Sequence, residues 1–318
     1  MSRYGELPVH RWMLRDTERN EAYRRALAHA VKPGDVVLDM GAGTGLLSIF
    51  AAAAGAGKVY AIERTEIAAF AEEMIAANGY ADRIEVIHSD LEDVTLPGKV
   101  DVIVSEWMGG FGVDENMLAP LVMARDRWLK PGGRMVPGVL TAVLAPAHMV
   151  EFDDATAHWR SKPHGVDLGL IAELTSQETF HTQSQPALVA PGQVMWSHDP
   201  LTCSLAVADQ QFTTKLTFHA TAASTISGLV AWFTADMGDG TILTNAVGAP
   251  DTHWGRTLFP LDRPIQLAAG AAIDVTLACD PSLPGSCEFS WTVSIDGQTE
   301  HHDTRPARRF RTRSSRRA

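Results

Sequence analysis

The chain has 318 residues, 45% of them hydrophobic and 20% charged, with a formal net charge of −11; this is long enough for two packed cores and ordinary for a globular protein. No apolar run is long enough for a helical membrane span, and the polar start MSRYGELPVHRW has no signal-peptide core. The three cysteines (Cys203, Cys279 and Cys287) are odd in number and widely spaced, which argues against a disulfide framework or a zinc site and predicts a reducing, cytoplasmic setting.

Along the chain, Ala22, Tyr23, Ala26, Leu27, Ala30 and Val31 recur at helical spacing and predict a helix over 16–31, ended by Lys32-Pro33-Gly34-Asp35. Strand VVLDMG (36–41) then leads through a glycine-rich turn into an apolar helix reaching Ala54. Next come strand KVYAIE (58–63), a helix over about 66–78, strand RIEVIHSD (83–90) and strand VDVIVSEW (100–107). After a loop, a helix is expected over about 116–129, stopped by Pro131-Gly132-Gly133. Strands alternating with helices predict a Rossmann-like parallel sheet covered on both faces.

After Val136-Pro137 the texture changes. VLTAVLAPA, LTCSLAVAD, TTKLTFHAT, GLVAWFTAD, AIDVTLACD and EFSWTVSID are short, β-rich and divided by turn residues, which predicts an antiparallel barrel or sandwich. Residues 155–191 read as an insertion into it with weak helical patterning; loops of this length usually carry function or contacts. From Arg305 the chain carries seven arginines and no acid, a basic tail read as a disordered end, with nucleic-acid contact and self-methylation as other uses. Taking those seven from the 27 basic residues leaves 20 against 38 acids, so the body sits near −18. Such a body attracts a cationic substrate and repels nucleic acid, or serves solubility alone.

The string VLDMGAGTG sets Gly41, Gly43 and Gly45 where a strand turns into a helix, so backbone can approach a ligand closely. Asp39 on the strand before them would repel a pyrophosphate but suits a ligand with an ammonium group. Glu63 ends the second strand, 20 residues after Gly43, where an acid can hold both ribose hydroxyls. Glu92 in SDLED can accept from an adenine amino group, and Arg19 can pair with a carboxylate. Together these features point to S-adenosylmethionine rather than a nicotinamide. The histidines show no metal-ligand spacing, and no metal is expected.

The loop SEWMGGFGVDENM carries Glu106 and Glu115, nine residues apart, beside that pocket. Two converging carboxylates repel unless a cation sits between them, and a guanidinium matches paired carboxylates in geometry. Far downstream, DTHWGRTLF places His253 and Trp254 on a loop of the β-rich half. On HRWMLRDTER, VLDMGAGTGLLS, AIE, SDLED, SEWM…ENML, ARDRWLKPGG and the THW triplet, the chain resembles the type I protein arginine methyltransferases over nearly its whole length.

The resemblance implies a Rossmann-like S-adenosylmethionine methyltransferase domain over 1–136. An antiparallel β-barrel over 137–304 follows, with a helical dimerisation arm inserted at about 155–191 and the tail at 305–318. It implies that Glu106 and Glu115 clamp the guanidinium and that Asp16 pairs with His253 across the two halves. His10, Met13 and Leu91 join the donor site; Met117, Trp254 and Tyr4 join the substrate side. A homodimer through the arm is expected. Two departures stand out. Gly110, Gly112 and Asp114 fill places that the family gives to aromatic residues, Phe111 excepted, which reads as a widened loop. The family's N-terminal helix over the cofactor is nearly absent. Trp107, Trp128 and Trp254 also read as core residues.

The expected reaction is in-line displacement, with a guanidino nitrogen attacking the sulfonium methyl and S-adenosylhomocysteine leaving. Glu115 or the His253–Asp16 pair would accept the proton. Peptidyl arginine is the favoured substrate; free L-arginine or a related guanidine is the alternative, and a non-catalytic donor-binding scaffold a third reading. The number and placement of methyl groups stay open.

Overall fold

The computed structural model describes residues 5–209, 211–283 and 286–305. The runs VVLDM, KVYAIE and VDVIVS are apolar along nearly their whole length because both faces of the strands they form are covered. In chain order the first half contains α1 (Leu7–Leu14), α2 (Thr17–Ala30), β1 (Val36–Met40), α3 (Leu46–Ala53), β2 (Lys58–Glu63), α4 (Ile67–Ala77) and β3 (Ile84–His88). It continues with β4 (Val100–Ser105), α5 (Leu118–Trp128) and β5 (Leu129–Val136). The five strands pair in parallel in the order β3-β2-β1-β4-β5. The order reverses at β1, so the crevice beyond the carboxyl ends of β1 and β4 is the switch point where such sheets bind ligands.

As expected, α5 ends before Pro131-Gly132-Gly133, at Trp128; the chain runs straight into β5, and pairing jumps from Val100–Leu129 to Val102–Arg134. Residues 130–133 therefore bulge out of the strand, and Gly132 takes a positive φ of 73° that other residues adopt poorly. The helix before it starts at Leu118 because Asn116 is left-handed, with φ of 50°.

The second half holds β6 (Leu140–His148), α6 (Val150–Arg160), α7 (Gly169–Thr175), β7 (Phe180–Thr182), β8 (Ala187–Leu188), β9 (Gln193–His198), α8 (Leu205–Ala208) and β10 (Phe212–His219). After these come β11 (Ser224–Asp236), β12 (Ile242–Thr244), β13 (Arg256–Leu267), β14 (Ala272–Leu283), β15 (Ser286–Ile295) and β16 (Gln298–Asp303). All pair antiparallel, in one sheet of order β10-β14-β15-β16 and another of order β7-β13-β11-β6-β8, with β12 on β11 and β9 on β6. The hydrogen-bonded ladder does not close into a cylinder among the described residues; Phe218, Leu229, Phe259, Leu277 and Trp291 fill one core shared by both sheets.

LTCSLAVAD, expected as a strand, forms a turn and the short helix α8, because the Ser204 hydroxyl accepts from the Val207 amide as an N-cap. The insertion begins earlier than expected, at α6, which Met149, Phe152, Phe180 and Leu258 pack against the sheet. Ser176 and Gln177, just past α7, bind Asp262 and His302, so the insert is held to the β-rich half on two sides. Of the tail, Arg305 is gripped by the carboxylate of Asp303 through its Nε and Nη2; the remaining tail arginines lie outside the described residues.

Candidate active site

Gly41, Gly43 and Gly45 all have positive φ, between 55° and 78°. A Cβ on Gly43 would sit 3.1 Å from the His10 ring, so this glycine lets α1 close onto the loop. The helix roofs the crevice: Pro8 stands in its first turn, and His10, Met13 and Leu14 line the cavity. Beneath it lies a cavity of about 460 Å³, a volume suited to a small organic ligand. Its walls include His10, Met13, Arg19, the glycine loop, Glu63, Glu106, Glu115 and Met117.

Glu63 anchors the loop. Its Oε2 accepts from the Gly43 amide at 2.9 Å, and its Oε1 accepts from the Thr65 amide and hydroxyl at 2.8 and 2.7 Å. Three bonds leave one of a carboxylate's roughly four acceptor sites for a ligand hydroxyl. Asp39 lies under the loop, fully buried, outside the cavity wall; Ser48 donates to its Oδ2 at 2.6 Å, while its Oδ1 has no hydrogen-bond partner. An orphaned carboxylate oxygen here fits a cationic ligand group approaching the loop.

Burial, opposed by the Ser48 hydrogen bonds, pushes the Asp39 carboxyl from 3.8 up to about 6. Between these values the folded state holds the extra proton, so stability falls as pH rises through that window, by about 3 kcal/mol in all. Asp39→Asn removes this loss. The gap between variant and wild-type urea midpoints is therefore expected to move in the variant's favour from about pH 4.5 to about pH 7.5. A gap independent of pH would show that Asp39 does not titrate there.

Arg19, buried in the first turn of α2, places Nη2 3.5 Å from Glu106 Oε2 and gives Nη1 to Asn20, with its guanidinium 5.5 Å from the Tyr23 ring centre. Glu106 follows β4 and is 10% exposed. Arg64 at the rim pairs with Asp90. Three wall carboxylates thus face one buried guanidinium, an excess that favours cationic ligands.

The loop from Glu106 to Glu115 is packed, not widened. Asp114 folds back to accept from the Gly110 amide at 2.9 Å and the Phe111 amide at 3.3 Å. A Cβ on Gly109 would strike the Asp114 carboxylate, and one on Gly110 would lie 2.8 Å from Thr257 Oγ1. The loop's apolar residues part company: Trp107 and Met108 enter a core that joins the parallel sheet to Leu140, Phe233 and Leu243 of the second half, Phe111 and Val113 that of the antiparallel sheets. Phe111 meets Phe259 edge-on at 5.5 Å, so its ring is spent on packing.

Asp16 ties the halves together. One oxygen caps α2 by accepting from the Arg19 amide at 2.9 Å; the other takes the His253 amide at 2.7 Å and contacts His253 Nδ1 at 2.9 Å. Burial alone would raise the Asp16 carboxyl, but the His253 ring and the Arg19 and His253 amides bring it below the usual carboxylate value.

Several expected site residues lie outside the cavity wall, among them Gly45 and the Asp16–His253 pair. Trp254 is absent from the cavity wall and packs edge-on to Phe233 at 4.9 Å, because its loop folds against β11. Leu91 and Glu92 sit on a 3-10 turn whose carbonyls accept from Arg127; the Glu92 side chain is exposed, and neither residue lines the cavity. Tyr4 lies outside the described residues. Sequence reasoning missed Leu14, Thr44, Leu46 and Thr65 as wall residues. Ser48 was legible only as a polar residue in the apolar helix after the glycines.

Residues 9–118 match the TRM5/TYW2 methyltransferase domain and residues 141–294 the arginine methyltransferase oligomerization subdomain. The chain is 31% identical to protein arginine N-methyltransferase 6 of Xenopus laevis, covering 94% of this chain and 92% of that protein. It is 31% identical to probable protein arginine N-methyltransferase 6.1 of Oryza sativa subsp. japonica, covering 93% and 85%. Among solved structures it superposes with a TM-score of 0.85 and 28% identity on the Trypanosoma brucei PRMT1 enzyme–prozyme heterotetrameric complex with AdoHcy, covering 96% of this chain and all of that one. On likeness of this extent, spanning both halves, the chain belongs to the protein arginine N-methyltransferase family.

Proposed function

We propose that this chain transfers a methyl group from S-adenosylmethionine to a guanidino nitrogen of a peptidyl arginine. The carrying observation is that Glu106 and Glu115 open onto the same cavity as the glycine loop and Glu63. The donor supplies an electrophilic methyl on a sulfonium. Glu63 has acceptor capacity left for one hydroxyl, and Arg19 is placed for a carboxylate. Glu106 and Glu115 accept from two nitrogens of the substrate guanidinium and draw its positive charge toward them, leaving density on the third. Orientation and fixed charge then carry the rate, since a guanidinium does not lose its proton in the ground state. With His253 Nδ1 on Asp16, Nε2 is the ring atom left to take a proton after transfer. Met13 and Met117 narrow the same cavity.

The test is incubation with labelled S-adenosylmethionine and either a Gly/Arg-rich peptide or free L-arginine, with products identified by mass. Label in the peptide is the expected result. Label on free arginine alone would overturn the peptidyl reading, and label on neither would overturn the transferase. The match to an oligomerization subdomain and the exposed Val166, Leu170 and Ile171 on the insert support a homodimer through that face. Three free thiols support a reducing, cytoplasmic setting.

A further inference from the structure

The acceptor loop and the His253 loop come from opposite halves of the chain, and one buried amide joins them. Asn245 follows β12 and is fully buried. Its Nδ2 donates to the Gly110 carbonyl at 2.7 Å and to the Gly255 carbonyl at 2.6 Å, and its Oδ1 accepts from the Phe233 amide of β11 at 2.8 Å. Gly110 lies within the Glu106–Glu115 loop; Gly255 follows His253-Trp254 directly. Both of Asn245's N–H groups are used, each on one of the two loops that hold the proposed chemistry. Among short uncharged side chains only this amide gives two donors and an acceptor from one planar group.

The surroundings leave the two loops little freedom to meet in another way. A Cβ on Gly110 would lie 2.8 Å from Thr257 Oγ1 and 3.4 Å from the His181 ring, and one on Gly255 would strike the Thr182 carbonyl. Thr257 pairs with His181, and Arg256 with Thr182, across β13 and β7. Two bare backbone turns are thus pressed against the same strand ends, and their carbonyls converge on Asn245.

We infer that Asn245 is a positioning residue for the methyl transfer, fixing the spacing between the Glu106–Glu115 clamp and the His253–Asp16 pair. The inference rests on the proposed function. Asn245 does not line the cavity, so it acts through the two loops and leaves the donor pocket to α1, the glycines and Glu63. A misplacement of about 1 Å between reacting groups can cost about 10²-fold in rate.

The test uses the full chain with Asn245→Asp, which keeps the shape but loses both donors, and Asn245→Ser, which keeps one. For each, kcat and KM on a Gly/Arg-rich peptide, the dissociation constant for S-adenosylhomocysteine and the melting temperature are measured, with kinetics run well below melting. Expected is a fall in kcat of about tenfold or more for Asp and less for Ser, with S-adenosylhomocysteine affinity within about twofold of wild type. Should the Asp variant not fold, the Ser variant carries the test alone. Wild-type kcat in variants that merely melt earlier, or equal losses of kcat and S-adenosylhomocysteine affinity, would overturn the positioning role. Failure of the proposed function is separate: wild type would then methylate no guanidine at all.

Discussion

Glu106→Gln is expected to bind the methyl donor within a few-fold of wild type yet to turn over about 10²-fold more slowly or worse. The side chain follows β4 with little exposure and meets Arg19 at 3.5 Å. Glutamine keeps the length and the fold but replaces one oxygen with an N–H₂ group. Whichever way the amide turns, that group meets one guanidinium, Arg19 or the substrate, as donor against donor. The negative charge that polarises the substrate is gone. The donor pocket keeps its other walls, including Glu63 and the glycine loop, so its affinity changes little. Calorimetric donor affinity and kcat at saturating peptide separate the two effects. A parallel loss of both would assign Glu106 to holding the fold.

Asp16→Asn is expected to lower kcat by about ten- to a hundredfold and to remove an acid-sensitive part of the stability. Asparagine is as good an N-cap as aspartate, so the bond from the Arg19 amide can survive. The other end cannot. The oxygen that takes both the His253 amide and contacts Nδ1 becomes a donor facing donors, and His253 loses its anchor. The folded carboxyl titrates below its unfolded value, so its stabilisation is present above the ordinary carboxylate pKa and is lost as pH falls through the lowered one. Wild type should therefore lose stability on acidification that the variant has already lost. Urea midpoints for the two proteins should draw together below about pH 4. Curves that stay parallel, with unchanged kcat, would mean that Asp16 only caps a helix.

Most of the parallel sheet was legible because its strands are short unbroken apolar runs ended by glycine or acid, and burial on both faces demands that pattern. Glu63, Glu106 and the glycines were legible for the same reason: they stand at strand ends, where the chain order alone places them around the switch point. Features set by distant partners were not. Pro131-Gly132-Gly133 reads locally as a helix stop, and its place as a bulge inside β5 depends on Arg134 pairing with Val102. The glycines at 109, 110 and 112 suggest open space, yet Asp114, Thr257 and Leu140 fill it. Asn245 carries no local signal, since its partners at Gly110 and Gly255 meet only in the folded chain.

The division of the acceptor loop between two cores has a consequence for how the molecule comes apart. Trp107 and Met108 pack in a core that joins the parallel sheet to Leu140, Phe233 and Leu243 of the other half, and Phe111 and Val113 in the core of the antiparallel sheets. Loosening either half slackens the segment between Glu106 and Glu115 and unseats residues in its neighbour. Heat or denaturant should therefore take the halves down in one cooperative step, and substrate-binding competence should vanish in that same step. No half-folded species would retain the grip on its cationic guest.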